Sequence, residues 1–184
     1  METFLIIGGA LLFIFIVLYN TLISKKNQVD NIFAGLDAVL KKRYDLIPNL
    51  IAMLQEYMSH EKSILETLTE LRSQAMQGRL NDHEKNILEN KISSLLGSVM
   101  VAAENYPNLK ANENFLHVQH TLNEIEEQIS AARRAYNQSV TDYNNALEMF
   151  PTNMMASAMR LEKKTVISIT EGERQNVNVK TLFQ

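Results

Sequence analysis

Between Thr3 and Ser24 no side chain is charged, and the twenty residues Phe4 to Ile23, FLIIGGALLFIFIVLYNTLI, are mostly apolar. As a helix rising 1.5 Å per residue, such a run spans about 30 Å, the hydrocarbon thickness of a bilayer. A cleaved signal peptide requires a basic start, a shorter apolar run and a small-x-small cleavage site. Here Glu2 is the only early charged side chain, and Tyr19-Asn20-Thr21 is a poor cleavage site. A buried core helix is seldom apolar on every face. The run therefore predicts an uncleaved transmembrane anchor over residues 1–24, with the lipid bilayer as its partner.

Lys25 and Lys26 follow the run directly, with Lys41, Lys42 and Arg43 beyond, while the N-terminal flank has no Lys or Arg. Positive charge collects on the cytoplasmic side of a span. The expected topology is a single pass at the cell membrane, N-terminus outside and body in the cytoplasm. Gly8 and Gly9 are adjacent and lack the GxxxG spacing of a helix dimer.

The composition narrows the class of the rest. Zero Cys among 184 residues excludes disulfides, thiol catalysis, Cys-based metal sites and a lipid-carrying Cys. Six Gly and three Pro are too few for the turns of an all-β chain. A net charge of −3 gives no basic bias toward nucleic acid.

Helical spacing fills the body. Val29, Ile32, Phe33, Leu36, Leu40, Tyr44, Ile47, Ile51, Leu54 and Met58 step by three or four, and Ile64, Leu65, Leu68, Leu71 and Ala75 continue the step. This stripe is nearly seamless and reads either as one rod of roughly 70 Å or as two helices parted near Ser59-His60. The break is favoured, because helices near 82–105 and 109–150 cannot both pair along such a rod. Gly78 suits a helix end, Asn81 with Glu84 suits a capping box, and Asn108 after Pro107 suits the N-cap of the last helix. The expected fold class is all-α: a transmembrane helix (1–24), then an antiparallel up-down four-helix bundle (25–150) with the long first and last helices paired. Pro48 marks a kink or a local restart. The tail, 151–184, contains TVISI and VNVKTLF, which leave short strands or disorder open.

Candidate sites follow from projecting the last helix at about 100° per residue. Phe115, Val118, Leu122, Ile125, Ile129, Tyr136, Val140, Tyr143 and Leu147 form its core stripe. Glu113, His117, His120 and Glu124 resemble a metal set but fall on the opposite, solvated face. Gln119, Glu126, Arg133, Asn137 and Asn144 line the border of the stripe, and the first helix offers Arg43, Asp45 and Asn49. Polar groups at a core edge need partners. They predict either a hydrogen-bond ladder that fixes register or a groove that recognises a partner. Tyr136-Asn137 and Tyr143-Asn144, seven residues apart, put rings in the core and hydroxyls at its polar edge. No catalytic elbow, HExxH, P-loop or GxGxxG is present, so neither an enzyme nor a cofactor is expected.

Charge is segregated. Residues 25–43 are net +3, residues 56–127 net −6, and residues 128–164 net +2. Lys25, Lys26, Lys41, Lys42, Arg43, Arg160, Lys163 and Lys164 are the candidate contacts to an anionic membrane surface.

The strings KKRYDLIPNLI (41–51), YMSHEKSILE (57–66), AENYPNLKANENF (103–115) and ARRAYNQSVTDYNNALEMFP (132–151) resemble the LemA family. The resemblance covers about residues 1–153. It implies a bacterial single-span membrane protein with a cytoplasmic four-helix bundle and no catalytic residues. It further implies a scaffold or regulator of a membrane protein, such as a membrane protease or an envelope-stress component. Relatives that serve specialised internal membranes give the alternative, a lipid-directed module that binds or shapes the membrane surface. After Pro151 the stretch MMASAMRLEKKTVISITEGE departs from the family's usual tail.

Overall fold

The computed structural model describes residues 1–58, 61–77 and 82–167. The regular structure there is helical: α1 (Glu2–Tyr57), α2 (Lys62–Met76), α3 (Asp82–Ala103), α4 (Pro107–Lys110), α5 (Glu113–Glu148) and α6 (Thr152–Ala158). No strand occurs among the described residues, so the chain is all-α with an N-terminal apolar helix.

Two compact units divide the chain, one of Met1–Lys42 with Ile125–Val166, the other of Arg43–Glu124 with Ile167–Gln184. In the first unit α1 and α5 run antiparallel. Lys25 Nζ lies 3.6 Å from Asp142, and the rings of Phe33 and Tyr136 meet at 5.5 Å and 53°. Residues 1–17 are exposed, burial begins at Leu22, and Val29, Leu36 and Leu40 continue the buried stripe of α1. This N-terminal part is long and apolar enough to cross a membrane.

In the second unit α1 passes through Pro48 without ending. Proline has no N–H, so the carbonyl four residues back, that of Tyr44, loses its helical donor. Arg72 on α2 supplies one, its Nε donating to the Tyr44 carbonyl at 2.7 Å. The chain is parted where the break was favoured, with α1 ending at Tyr57 and α2 starting at Lys62. Ser59, His60, Gly78 and Asn81 lie outside the described residues. The N-cap position of α2 is Glu61, which makes no capping bond from its side chain.

The expected start of the last helix is corrected. Pro107 opens the four-residue α4, and Asn108 lies inside it. Pro at a first helical position leaves no needed donor missing, so it starts a helix readily. The cap of α5 is Asn112, whose Oδ1 accepts from the backbone N–H of Asn114 (2.9 Å) and Phe115 (3.2 Å). The projected stripe of α5 is buried at Phe115, Leu122, Ile125, Ile129, Tyr136, Val140, Tyr143 and Leu147, while Val118 is half-buried. After Pro151 the chain forms α6 and then a segment with no regular structure over 161–167. The described start of TVISI is therefore not a strand.

Candidate functional site

The second unit holds a buried ionic centre. Arg43 is 0 % exposed and Glu89 2 %, with Tyr44 packed beside them. Arg43 donates from Nη2 to one Glu89 oxygen, and the Tyr44 hydroxyl donates to the other. Arg43 Nη1 also donates to Ser93 Oγ at 2.7 Å. Neighbours on α1 thus grip Glu89 and Ser93, which lie four residues apart on one face of α3. Removing charges from water is costly, and this pairing and its hydrogen bonds offset that cost. The carboxylate is occupied on both oxygens by groups of its own chain, so the centre is built to hold helices together.

About 20 Å further along α1, at its C-terminal end, Asn112 Nδ2 donates to the Tyr57 hydroxyl at 3.3 Å, and the Tyr106 hydroxyl donates to Glu61 Oε1 at 3.2 Å. Burial and the Glu61 carboxylate raise the Tyr106 phenol above its ordinary value.

The first unit holds a different device, a strap. The returning segment 161–165 is pinned to α5. Asn144 donates from Nδ2 to the Lys164 carbonyl at 2.8 Å and accepts the Lys164 N–H on Oδ1 at 3.0 Å. The Tyr143 hydroxyl donates to the Glu162 carbonyl at 3.2 Å, and the Tyr136 hydroxyl reaches the Thr165 carbonyl at 3.5 Å. Lys163 pairs with Glu148, and Lys164 with Asp30 on α1. Both tyrosine rings are buried and both hydroxyls meet the polar edge, as the heptad spacing implied. Burial, then the nearby Asp30 charge, raises the Tyr143 phenol above its ordinary value.

The residues marked from the sequence fall into distinct settings. Arg43 joins α3, and Asn144 joins the strap. Arg133 is buried, while Gln119, Glu126 and Asn137 are half-buried at the border of the stripe. Asp45 and Asn49 are exposed. Asp45, Glu126, Arg133 and Asn137 are also engaged with other groups. Of the candidate surface cations, Lys41, Lys42, Arg160 and Lys163 are exposed, Lys25, Lys26 and Lys164 are half-buried, and Arg43 faces inward. Glu113, His117, His120 and Glu124 are exposed, and His120 Nδ1 lies 3.6 Å from Glu124. Among the described residues no group of three or more metal-ligating side chains converges.

Sequence reasoning passed over Glu89. A signal was present, since Glu89 lies three and seven residues before Ile92 and Leu96, on their side of α3. A carboxylate inside an apolar stripe requires a buried cation, and Arg43 is that cation.

The LemA family model matches residues 32–181, from within α1 to beyond the described strap. The chain is 26 % identical to the protein LemA of Metamycoplasma hominis, over 97 % of this chain and 82 % of that protein. It is 20 % identical to the magnetosome protein MamQ 2 of Paramagnetospirillum magneticum and 18 % identical to MamQ of Magnetospirillum gryphiswaldense. Each of those two matches covers 75 % of this chain and 60 % of the relative, so the chain spans less than two thirds of their length.

Proposed function

Because the chain belongs to the LemA family, we propose that it is a membrane-anchored, non-enzymatic helical platform that organises or regulates a membrane protein partner, such as a membrane protease. One observation carries this reading. The apolar, exposed stretch 1–17 and the partner-filled stretch after it belong to one unbroken helix, α1. An apolar surface of that size requires a non-aqueous setting. The buried polar groups Arg43 and Glu89 are engaged by the chain itself rather than left open for chemistry. Four helical stretches packed as an up-down bundle over 25–150 would form the platform, with 1–24 as its anchor. Lys25 and Lys26 beside the apolar run support an outside N-terminus and a cytoplasmic body.

The test is crosslinking in intact membranes, followed by purification of the full chain. A membrane protein recovered at fixed stoichiometry supports the platform. Recovery with lipid alone overturns it. Protease added to spheroplasts should spare the body, and digestion of the body from outside reverses the orientation.

A second reading has its own support. The net charges of +3 over 25–43 and +2 over 128–164 contrast with −6 over 56–127, and three similar proteins carry magnetosome names. A module directed to the lipid surface would use such a division of charge. Lipid-only recovery in the same experiment selects it.

A further inference from the structure

The corner between α5 and α6 is apolar and uncovered. Met149 is 63 % exposed, Phe150 79 % and Met154 68 %. Residues 149–160 contain a single charged side chain, Arg160, which is itself exposed. A turn links α5 to α6, closed by the Asn153 N–H donating to the Met149 carbonyl at 2.9 Å. Met154, Ser157 and Ala158, the exposed residues of α6, share one face, and Ala156 is buried behind them.

The antiparallel pairing of the first unit fixes the height of this corner. Lys25 meets Asp142, and Phe33 meets Tyr136. Continuing about seven residues along α5 from Asp142 descends about 10 Å. Met149 and Phe150 therefore stand level with the segment around Leu18 and Tyr19 of α1. That segment lies within the last two turns of the charge-free run, which Lys25 and Lys26 follow. A tyrosine followed by lysines is the signature of a membrane–water interface. An exposed aromatic and an exposed methionine at that level, with Met154 and Arg160 exposed a few residues further on, make a surface suited to the same zone.

We propose that the α5–α6 corner is a second membrane contact. Met149, Phe150 and Met154 enter the headgroup and upper acyl zone of the leaflet that α1 crosses, and Arg160 reaches its anionic phosphates. This rests on α1 spanning the bilayer. The occupant is a phospholipid leaflet rather than a protein, because the patch continues the lipid-facing part of α1 at one height and carries only positive charge.

The chain has no Trp, so a single introduced Trp is a clean depth probe. Phe150→Trp and, separately, Phe13→Trp are made in the full chain. Each is reconstituted in vesicles of three parts phosphatidylcholine to one part phosphatidylglycerol, with bromines near the headgroup or deep in the acyl chains. The Phe13→Trp probe should be quenched most by deep bromines, which tests the span. The Phe150→Trp probe should be quenched at least twofold by shallow bromines and less by deep ones. Adding Met154→Asp and Arg160→Glu should at least halve that quenching while leaving the Phe13→Trp signal unchanged. Deep quenching at position 13 with none at position 150 overturns the second contact and leaves the span standing. No quenching at either position overturns both.

Discussion

Arg72 donates its Nε–H to the Tyr44 carbonyl at 2.7 Å, the one acceptor that Pro48 leaves without a helical donor. The proline inside α1 and the arginine on α2 are thus two halves of one interaction. The open carbonyl is a docking point for α2 on α1, and the next side chain along, Arg43, docks α3.

Arg72→Ala leaves the Tyr44 carbonyl without its donor and should destabilise the chain by about 1–3 kcal/mol. Pro48→Ala restores an N–H four residues on. The same Arg72→Ala change should then cost less than half as much. Denaturant unfolding of the four chains in detergent measures the coupling, and equal costs in both backgrounds remove the link.

Glu89→Ala leaves the Arg43 guanidinium buried without its carboxylate, which costs about 3–5 kcal/mol. Removing both charges as Arg43→Met with Glu89→Leu should recover most of that loss. Tyr44→Phe, which deletes one donor to the carboxylate, should cost about 1.5–3 kcal/mol. Midpoints of thermal unfolding rank the three variants, and a double variant as weak as Glu89→Ala rules out the pairing as the cause.

Asn144→Ala removes both hydrogen bonds to Lys164. The Lys164 amide should then exchange with solvent at least tenfold faster, while amides in the middle of α5 keep their protection. Hydrogen exchange read by mass spectrometry over 160–167 reports it, and unchanged exchange there shows the strap held by other means.

The strap should loosen in alkali. The folded chain holds the Tyr143 proton above its ordinary pKa of 10.0, so the proton binds more tightly in the folded state than in the unfolded one. The resulting stabilisation is complete below pH 10 or so and drains away as the pH climbs through the raised folded value. Tyr143→Phe, which carries no such proton, should flatten the decline. Unfolding midpoints from pH 8 to 11.5 test the sign, and equal slopes for parent and variant contradict it.

Periodicity made the helices readable. The stripe of α5 and the outward face bearing His117 and His120 followed from a 100° step, because burial on a long helix obeys its geometry. Pro48 was visible but not explicable, since the donor that compensates it, Arg72, lies 24 positions away on another helix. Asn108 and Asn112 are both competent caps, and only the short turn of α4 decides between them. The strap was the least legible element. Its hydrogen-bond partners are carbonyls and one N–H, which every residue type but proline presents alike.

That indifference gives the tail latitude. Tyr136, Tyr143 and Asn144 grasp positions 165, 162 and 164 by their peptide groups, as a clasp closes on a cord whatever its colour. Side chains at 162 and 165 are therefore open to drift, while Lys163 and Lys164 add ion pairs to Glu148 and Asp30 that another residue type would forgo. Proline at 164 would also delete the N–H that Asn144 Oδ1 accepts. A tail spelled as differently as EKKT can still be fastened by the same three side chains, so divergence in its letters does not mean divergence in its path.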